Sequence, residues 1–289
     1  FEYYEGDKVK GFDPEVSAAL AKRLGLSASF SDITFPNLIL GLDAGRFDTI
    51  ISGMYILPER LEKADAIPYA KTGAAIMVLK DSPLKPKVPE DLCGLKVGLE
   101  KGTTWVTQFN TLSTDYCTPN NKGAIMVSEF PSAPEVTQAL LSGNVQAQVE
   151  IDGAAGMIAE RTKGRVVVST EHSIYQQTLG IYVKKGNDAL YQALLKAFDA
   201  SKASGEYAAL LKKYNLEEET FFYLVNDYIS HPRPVLFNNL TDEKIEKFPF
   251  LDILKKNGVK SYSFLPIFYN NQLAGIMEIY SEKELMVDE

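Results

Sequence analysis

Short apolar runs alternate with amphipathic helical stretches twice over in this chain, and that alternation narrows the folds open to it more than any other pattern. In the front stretch, Asp13-Pro14 followed by Val16, Leu20, Leu24 and then Gly25 reads as an N-cap, a proline at the first helical position, one apolar stripe and a glycine stop. A polar strand follows over Ser27 to Phe30, then a helix from Asn37 to Ala44, then the apolar run Phe47 to Ile51, which reads as a buried parallel strand. The order resumes from about residue 84. Lys96 to Leu99 is strand-like, Thr103 to Leu112 and Glu135 to Ser142 are helical, Val145 to Ile151 is a strand, and Gly153 to Arg161 is an alanine-rich helix. Parallel strands need a crossover to reach one another, so this order predicts an α/β class with a doubly wound sheet, whose ligands sit at the carboxyl ends of the strands.

Two further extended runs, Ala74 to Lys80 and Leu179 to Lys184, lie far apart in the chain and read as strands crossing between two lobes. A pair of connections resists twisting but permits opening and closing, which makes a hinge. Helices over Ala189 to Ser201 and Gly205 to Tyr214 then return to the first lobe. Past Glu217-Glu218-Glu219 the composition changes: alanine occurs only at Ala274, while Phe, Tyr, Asn and Lys become dense, which marks a different domain. There, Ser261 to Tyr269 and Gln272 to Tyr280 are strand-like and joined by Asn270-Asn271, a tight-hairpin signal, after a helix over Lys247 to Lys256 and a stop at Gly258.

Several function classes are excluded early. The net charge is -8 and no lysine or arginine run could line a phosphate backbone, so nucleic acid is not a partner. Cys93 and Cys117 are too widely spaced for a metal knuckle, and His172 and His231 are distant from both, so neither a metal nor a cofactor is implied. The two cysteines flank a presumed strand and helix. They either pair as a disulfide, which suits an oxidising compartment, or stay as buried thiols. No apolar stretch reaches the length of a membrane span, and Phe1-Glu2-Tyr3-Tyr4-Glu5 lacks the basic start and apolar core of a signal peptide. Either this is a mature chain or its beginning is missing.

Several pieces then occur in one order: Phe1-Glu2-Tyr3-Tyr4, Gly11-Phe12-Asp13, the run Gly53-Met54-Tyr55-Ile56-Leu57-Pro58-Glu59-Arg60, Pro68-Tyr69, Gly102-Thr103-Thr104, and Gly205-Glu206-Tyr207 to Lys213-Tyr214. With them, residues 1 to about 216 resemble the family-3 extracellular solute-binding proteins, the polar amino-acid receptors of ABC importers. The resemblance implies a two-lobed type II periplasmic-binding-protein fold, with residues 1–78 and 183–216 as the first lobe and 79–182 as the second. It also implies a periplasmic or extracellular receptor, not an enzyme, that closes around an amino acid or related small carboxylate and presents it to the importer's membrane subunits. The family has a strand before Phe1, interior to the first lobe's sheet, so that lobe reads as lacking its first strand.

Residue by residue, Arg60 follows a Pro-Glu that starts a helix just after a buried strand, so its planar fork is placed to hold a carboxylate bidentately. The bland alternative is a surface arginine paired with Glu59 or Asp65. The resemblance gives Arg60 the carboxylate and has backbone groups at Gly53 and Tyr55 assist it. Phe35 either stacks on the solute or belongs to the core. Thr103 and Thr104 open a helix and grip an anion across the cleft, or serve as a plain N-cap. One departure concerns charge. Amino-acid receptors place an aspartate for the solute's ammonium where this chain has Ile151, so Glu150 or Asp152 takes that role or the solute lacks the amino group. Glu150 is also the acid that a lyase or dehydratase on this scaffold needs. Residues 217–289, through Ser261-Tyr262 to Pro266-Ile267 and Leu273-Ala274-Gly275-Ile276, resemble the second half of a GAF domain, an α+β fragment without an intact ligand site. GAF modules usually work inside cells and these receptors outside, so a solute sensor coupled to this tail is topologically awkward, and the order reads as a fragmentary, joined or engineered sequence.

Overall fold

The structure, a computed structural model, describes residues 1–214, 216, 235–238, 240, 255, 258–269 and 272–283. Two units, residues 1–218 and 219–289, are each described by themselves.

In the first unit, β1 (Glu2–Glu5) and β2 (Lys8–Gly11) pair as an antiparallel hairpin that runs directly into α1 (Phe12–Arg23). The helix begins ahead of its predicted cap. Gly11 holds the N-cap at φ 129°, a backbone conformation that glycine tolerates, and Asp13 lies inside the first turn. Asp13 does not cap because its carboxylate is engaged elsewhere: it accepts the Gly53 N–H at 2.7 Å and the Tyr69 hydroxyl at 2.8 Å. Burial, then the nearby Glu2 charge, pushes this carboxyl up to about 7.

The strand predicted over Ser27 to Phe30 is absent. The stretch alternates serine with small residues, has no apolar face to bury, and leaves Phe30 49% exposed. A 3-10 turn (Phe35–Asn37) leads into α2 (Leu38–Asp43), then β3 (Thr49–Ile50), α3 (Pro58–Leu61) and the sixteen-residue β4 (Ala64–Leu79). The alternating part follows as β5 (Lys96–Glu100), α4 (Thr104–Leu112), β6 (Met126–Phe130), α5 (Ala133–Leu141), β7 (Ala147–Ile151), α6 (Asp152–Arg161) and β8 (Val166–Val168). The unit closes with β9 (Ile174–Lys184), α7 (Asp188–Ala203) and α8 (Glu206–Lys213).

The sheet order is β3-β9-β4-β7-β5-β6, with β8 on β4. The doubly wound core is β6-β5-β7, all parallel. By contrast β3, read as parallel, pairs antiparallel with β9, because its neighbour is the strand coming back from the other half of the unit. The crossing runs are one long antiparallel pair, β4 against β9, registered from Ala64↔Lys184 to Ala74↔Ile174. Its ladder is irregular at Pro68, which has no N–H to donate, and again between Thr72 and Ala74. At the latter point Gly73 comes so close to β9 that a Cβ would lie 2.6 Å from the Ile174 carbonyl oxygen.

Helices α7 and α8 return to α1, as the alternation implied. Phe12 stacks on Tyr69 with ring centroids 6.0 Å apart and meets Tyr207 and Tyr214 at 6.2 and 5.7 Å. Arg23 pairs with Glu206 and Lys213 with Glu15 over the top of this aromatic core. A second core forms where Ala75 and Met77 of β4 meet Ala139, Leu140, Val145, Ala155 and Val166.

Cys93 and Cys117 pair as a disulfide. It closes a loop with a sequence separation of 24, stapling the approach to β5 to the turn that follows α4. The loop-closure relation for that length gives about 3.5 kcal/mol of stabilisation through the unfolded chain. A double Cys93→Ser, Cys117→Ser variant should therefore lose about 3.5 kcal/mol in urea unfolding, where an unchanged midpoint would count against this account.

In the second unit, β10 (Val235–Asn238), β11 (Ser261–Tyr269) and β12 (Gln272–Ser281) form an antiparallel sheet in that order. The predicted hairpin strands are thus present, with β10 an addition. Gly258, at φ 82°, donates its N–H to Lys255 O at 3.0 Å as a helix stop does. The predicted turn at 270–271, and the helix over 247–256 apart from Lys255, lie outside the described residues. No helix among the described residues is long and apolar enough to cross a membrane.

Candidate functional site

The carboxyl ends of β3, β5 and β7 bring their following residues to one cleft. After β3 the chain turns at Gly53, where φ is 52° and a Cβ would meet the Phe1 ring at 3.3 Å and Ile151 Cδ1 at 3.7 Å. The positive φ favours glycine there, and a Cβ would be a tight fit against Phe1. Tyr55 then forms a bridge to Leu179 of β9, and Pro58 opens the single turn of α3 that carries Arg60.

The Arg60 guanidinium is half-buried and held from two directions. It donates to the Tyr55 carbonyl at 2.7 Å and to the Gly102 carbonyl at 3.3 Å, and its carbon sits 5.6 Å from the Phe35 ring centroid. The Tyr182 hydroxyl donates to the same Tyr55 carbonyl at 2.6 Å. Burial pulls the guanidinium below its ordinary value, but it remains a cation. A surface pairing with Asp65 does not occur: Lys185 holds Asp65 at 2.9 Å. Phe35 serves two purposes, packing against the cluster of Leu38, Leu42, Ile50, Met54, Ala64 and Tyr182 and offering its face to Arg60.

The opposite wall is the turn between β5 and α4. Gly102, at φ 83°, approaches Pro36 so closely that a Cβ would lie 3.0 Å from the proline Cβ. Thr103 donates its hydroxyl back to Glu100 O at 2.8 Å. The Thr104 hydroxyl is buried without a partner among the described residues, and so is the Gln108 amide oxygen. Tyr55 and Trp105 meet edge to face, 6.2 Å between centroids. Buried polar atoms are nearly always paired in native proteins, so the Thr104 hydroxyl and the Gln108 amide oxygen along α4 have hydrogen-bonding capacity to spare, while the Tyr55 hydroxyl and the Trp105 indole face each other.

Residues 1–217 match the model of the bacterial extracellular solute-binding proteins, family 3. The chain belongs to that family. Among its relatives, the L-cystine-binding protein TcyJ of Escherichia coli (strain K12) is 28% identical over 191 residues, covering 64% of this chain and 67% of that one. An ancestral arginine-binding protein solved with arginine bound superposes with a TM-score of 0.67 at 31% identity, over 74% of this chain and 92% of that one. The ancestral amino acid-binding protein AncCDT-1, a precursor of cyclohexadienyl dehydratase, superposes at 0.63 with 30% identity, over 74% and 89%. The fold is the two-lobed type II periplasmic-binding-protein fold.

Within this family-3 cleft the acidic residues divide by task. Asp152 is committed to the frame, accepting the Gly73 N–H at 3.1 Å and the Ser173 hydroxyl, which ties the start of α6 to the crossing strands. Gly53 is likewise committed, through its N–H, to Asp13. Glu150 is 5% exposed and accepts the Ile151 N–H at 2.9 Å, and burial pushes its carboxyl up. Beside it lies Glu100, a residue the motif reading passed over. Burial, then the charges of Glu150 and Glu2, pushes Glu100 up to about 8. Glu100 precedes Lys101 and looks like an ordinary solvated charge in sequence; only strand pairing sets it next to Glu150. Trp105, the sole tryptophan, was passed over as well, although its place directly after Gly-Thr-Thr was a signal that could have pointed to it.

Proposed function

We propose that this chain is the solute receptor of an ABC importer, that Arg60 captures the carboxylate of an amino acid or related small acid, and that two lobes close over it. In this reading residues 1–78 and 183–216 form one lobe, 79–182 the other, and β4 with β9 is the hinge. The observation that carries it is the position of Arg60, a cation from one wall whose guanidinium reaches the Gly102 carbonyl of the other. Phe35 and Tyr55 contact it, Thr103 and Thr104 follow the Gly102 that it reaches, and the relatives named above are binding proteins for cystine and arginine. Binding then shifts an open–closed equilibrium toward the form the membrane subunits recognise. Titration calorimetry with a panel of amino and organic acids tests this. At least one carboxylate solute should bind in the micromolar range or tighter, and silence across the panel overturns it.

A second reading draws on Glu150, a buried acid whose raised pKa suits proton donation, and on the AncCDT-1 likeness. It makes the chain a dehydratase. We infer a receptor instead, because the relatives named above are binding proteins for cystine and arginine. Product from a prephenate-like carboxylate, abolished by Glu150→Gln, would reverse that choice.

A further inference from the structure

We propose that Tyr3 and Arg161 form a latch between the two lobes, away from Arg60, that is made when the cleft closes and lost when it opens. They are positioning residues, which set affinity through closure without touching the solute. This rests on the receptor reading and names what tunes its open–closed equilibrium.

Arg161 is the last residue of α6, which belongs to the half assigned to residues 79–182. Its Ala155 is buried with Met77, Leu140, Val145 and Val166, and Ile158 and Ala159 pack on the same cluster. The other end of the helix is pinned to the crossing strands, where Asp152 accepts the Gly73 N–H and the Ser173 hydroxyl. At about 1.5 Å of rise per residue, Arg161 stands roughly 13 Å along the helix from that pin. Tyr3 belongs to the other half. It lies on β1, whose hairpin runs into α1, and α1 packs through Phe12 on Tyr207 of α8. The Arg161 side chain therefore reaches from one half to the other.

Its guanidinium carbon lies 4.1 Å from the Tyr3 ring centroid, the shortest cation–ring approach among the described residues. What draws it there is the negative face of the ring. Side chains alternate along β1, which puts Glu5 on the same side as Tyr3, and the Glu5 carboxyl is held below its ordinary range first by Lys10 and further by the Arg161 charge. Lys10, on the facing strand, is itself paired with Glu5. The two halves meet again beside this pair: a Cβ on Gly153, in the first turn of α6, would lie 3.8 Å from the Phe1 ring. A cation is drawn to a ring only within about 6 Å of its centroid, so opening by a few ångströms ends the attraction. A contact present only in the closed form raises apparent affinity by its own Boltzmann factor, as long as the open form dominates without solute. For an exposed guanidinium over tyrosine that factor is about two to five.

Stopped-flow fluorescence and calorimetry on the whole chain test the latch, with L-arginine, L-cystine and L-glutamine as probes and the one that the parent binds tightest used throughout. The sole tryptophan, Trp105, stands in the cleft wall and reports closure. Arg161→Ala should raise the dissociation constant about two- to fivefold, nearly all of it as faster dissociation. Tyr3→Leu should do the same, whereas Tyr3→Phe, which keeps the ring, should match the parent. The double Tyr3→Leu, Arg161→Ala variant should lose no more than either single change, because one contact is removed once. Arg161→Glu, which brings a carboxylate to the ring and to Glu5, should lose more than Arg161→Ala. The unliganded thermal midpoint should stay with the parent's in Arg161→Ala, since the open form lacks the contact. Parent-like dissociation in Arg161→Ala, additive losses in the double variant, equal losses in Tyr3→Phe and Tyr3→Leu, or a lowered unliganded midpoint in Arg161→Ala overturns the latch and leaves Arg60 and the receptor standing. No binding of any probe by the parent overturns both.

Discussion

Arg60→Ala should weaken binding of the preferred solute by about a hundredfold or more while the protein stays folded. Truncating one member of a buried, hydrogen-bonded charge pair costs about 2–5 kcal/mol, and about 3 kcal/mol is already more than a hundredfold in Kd. The loss falls mainly on the dissociation rate, because the bond is short-ranged and forms after encounter. Stability should change little. The Tyr55 carbonyl keeps the Tyr182 hydroxyl at 2.6 Å when the guanidinium is gone, and the Gly102 carbonyl, in an exposed bond at 3.3 Å, is free to turn to water. Arg60→Lys should recover only part of the affinity, since an ammonium restores the charge but not the two-pronged geometry. Calorimetry of all three proteins measures this, with a unfolding curve for each as control. Parent-like affinity in Arg60→Ala would mean that the carboxylate is held elsewhere.

The arrangement explains which parts of the molecule were legible before any coordinates. Elements that bury a stripe or a run were plain: α1, α5, β5 and β7 all carry apolar residues at their own period, and the structure places them within a few residues of the reading. The Gly53–Arg60 run was legible because each residue type has a local reason to be there, a glycine at positive φ, a proline opening a turn and a cation following it. What failed depended on partners distant in sequence. Asp13 has the form of a cap, yet Tyr69 and Gly53 claim its carboxylate. The direction of β3 is set by β9, more than a hundred residues on. Glu100 has no local signature and is distinguished only by the strand beside it. Asp152 and Glu150 looked equivalent as flanks of Ile151, and it took the Gly73 and Ser173 bonds to mark Asp152 as a framing residue, while Glu150 is buried and holds the Ile151 N–H.

The same dependence on distant partners makes Gly102 the most sensitive backbone position in the cleft. Two constraints meet there: a φ of 83°, which a β-branched residue adopts only under strain, and a Cβ position 3.0 Å from Pro36 on the facing wall. Gly102→Val should hold the walls apart by the width of its side chain, and the carbonyl that receives Arg60 would be displaced with it. The φ strain, roughly 1–3 kcal/mol, falls on both forms and lowers stability, whereas the clash with Pro36 falls on the closed form alone, so the open form gains. Apparent affinity then falls in proportion to the fraction of molecules still able to close, about a hundredfold for a shift near 3 kcal/mol. Gly102→Ala, with less bulk, should lose nearer tenfold. Small-angle scattering gives the decisive readout: the parent should contract when saturated with solute, and Gly102→Val should keep the unliganded dimension at concentrations that saturate the parent. Contraction of the valine variant at parent affinity would show that closure does not bring the Gly102 turn against Pro36, and the role given to the second wall would go with it.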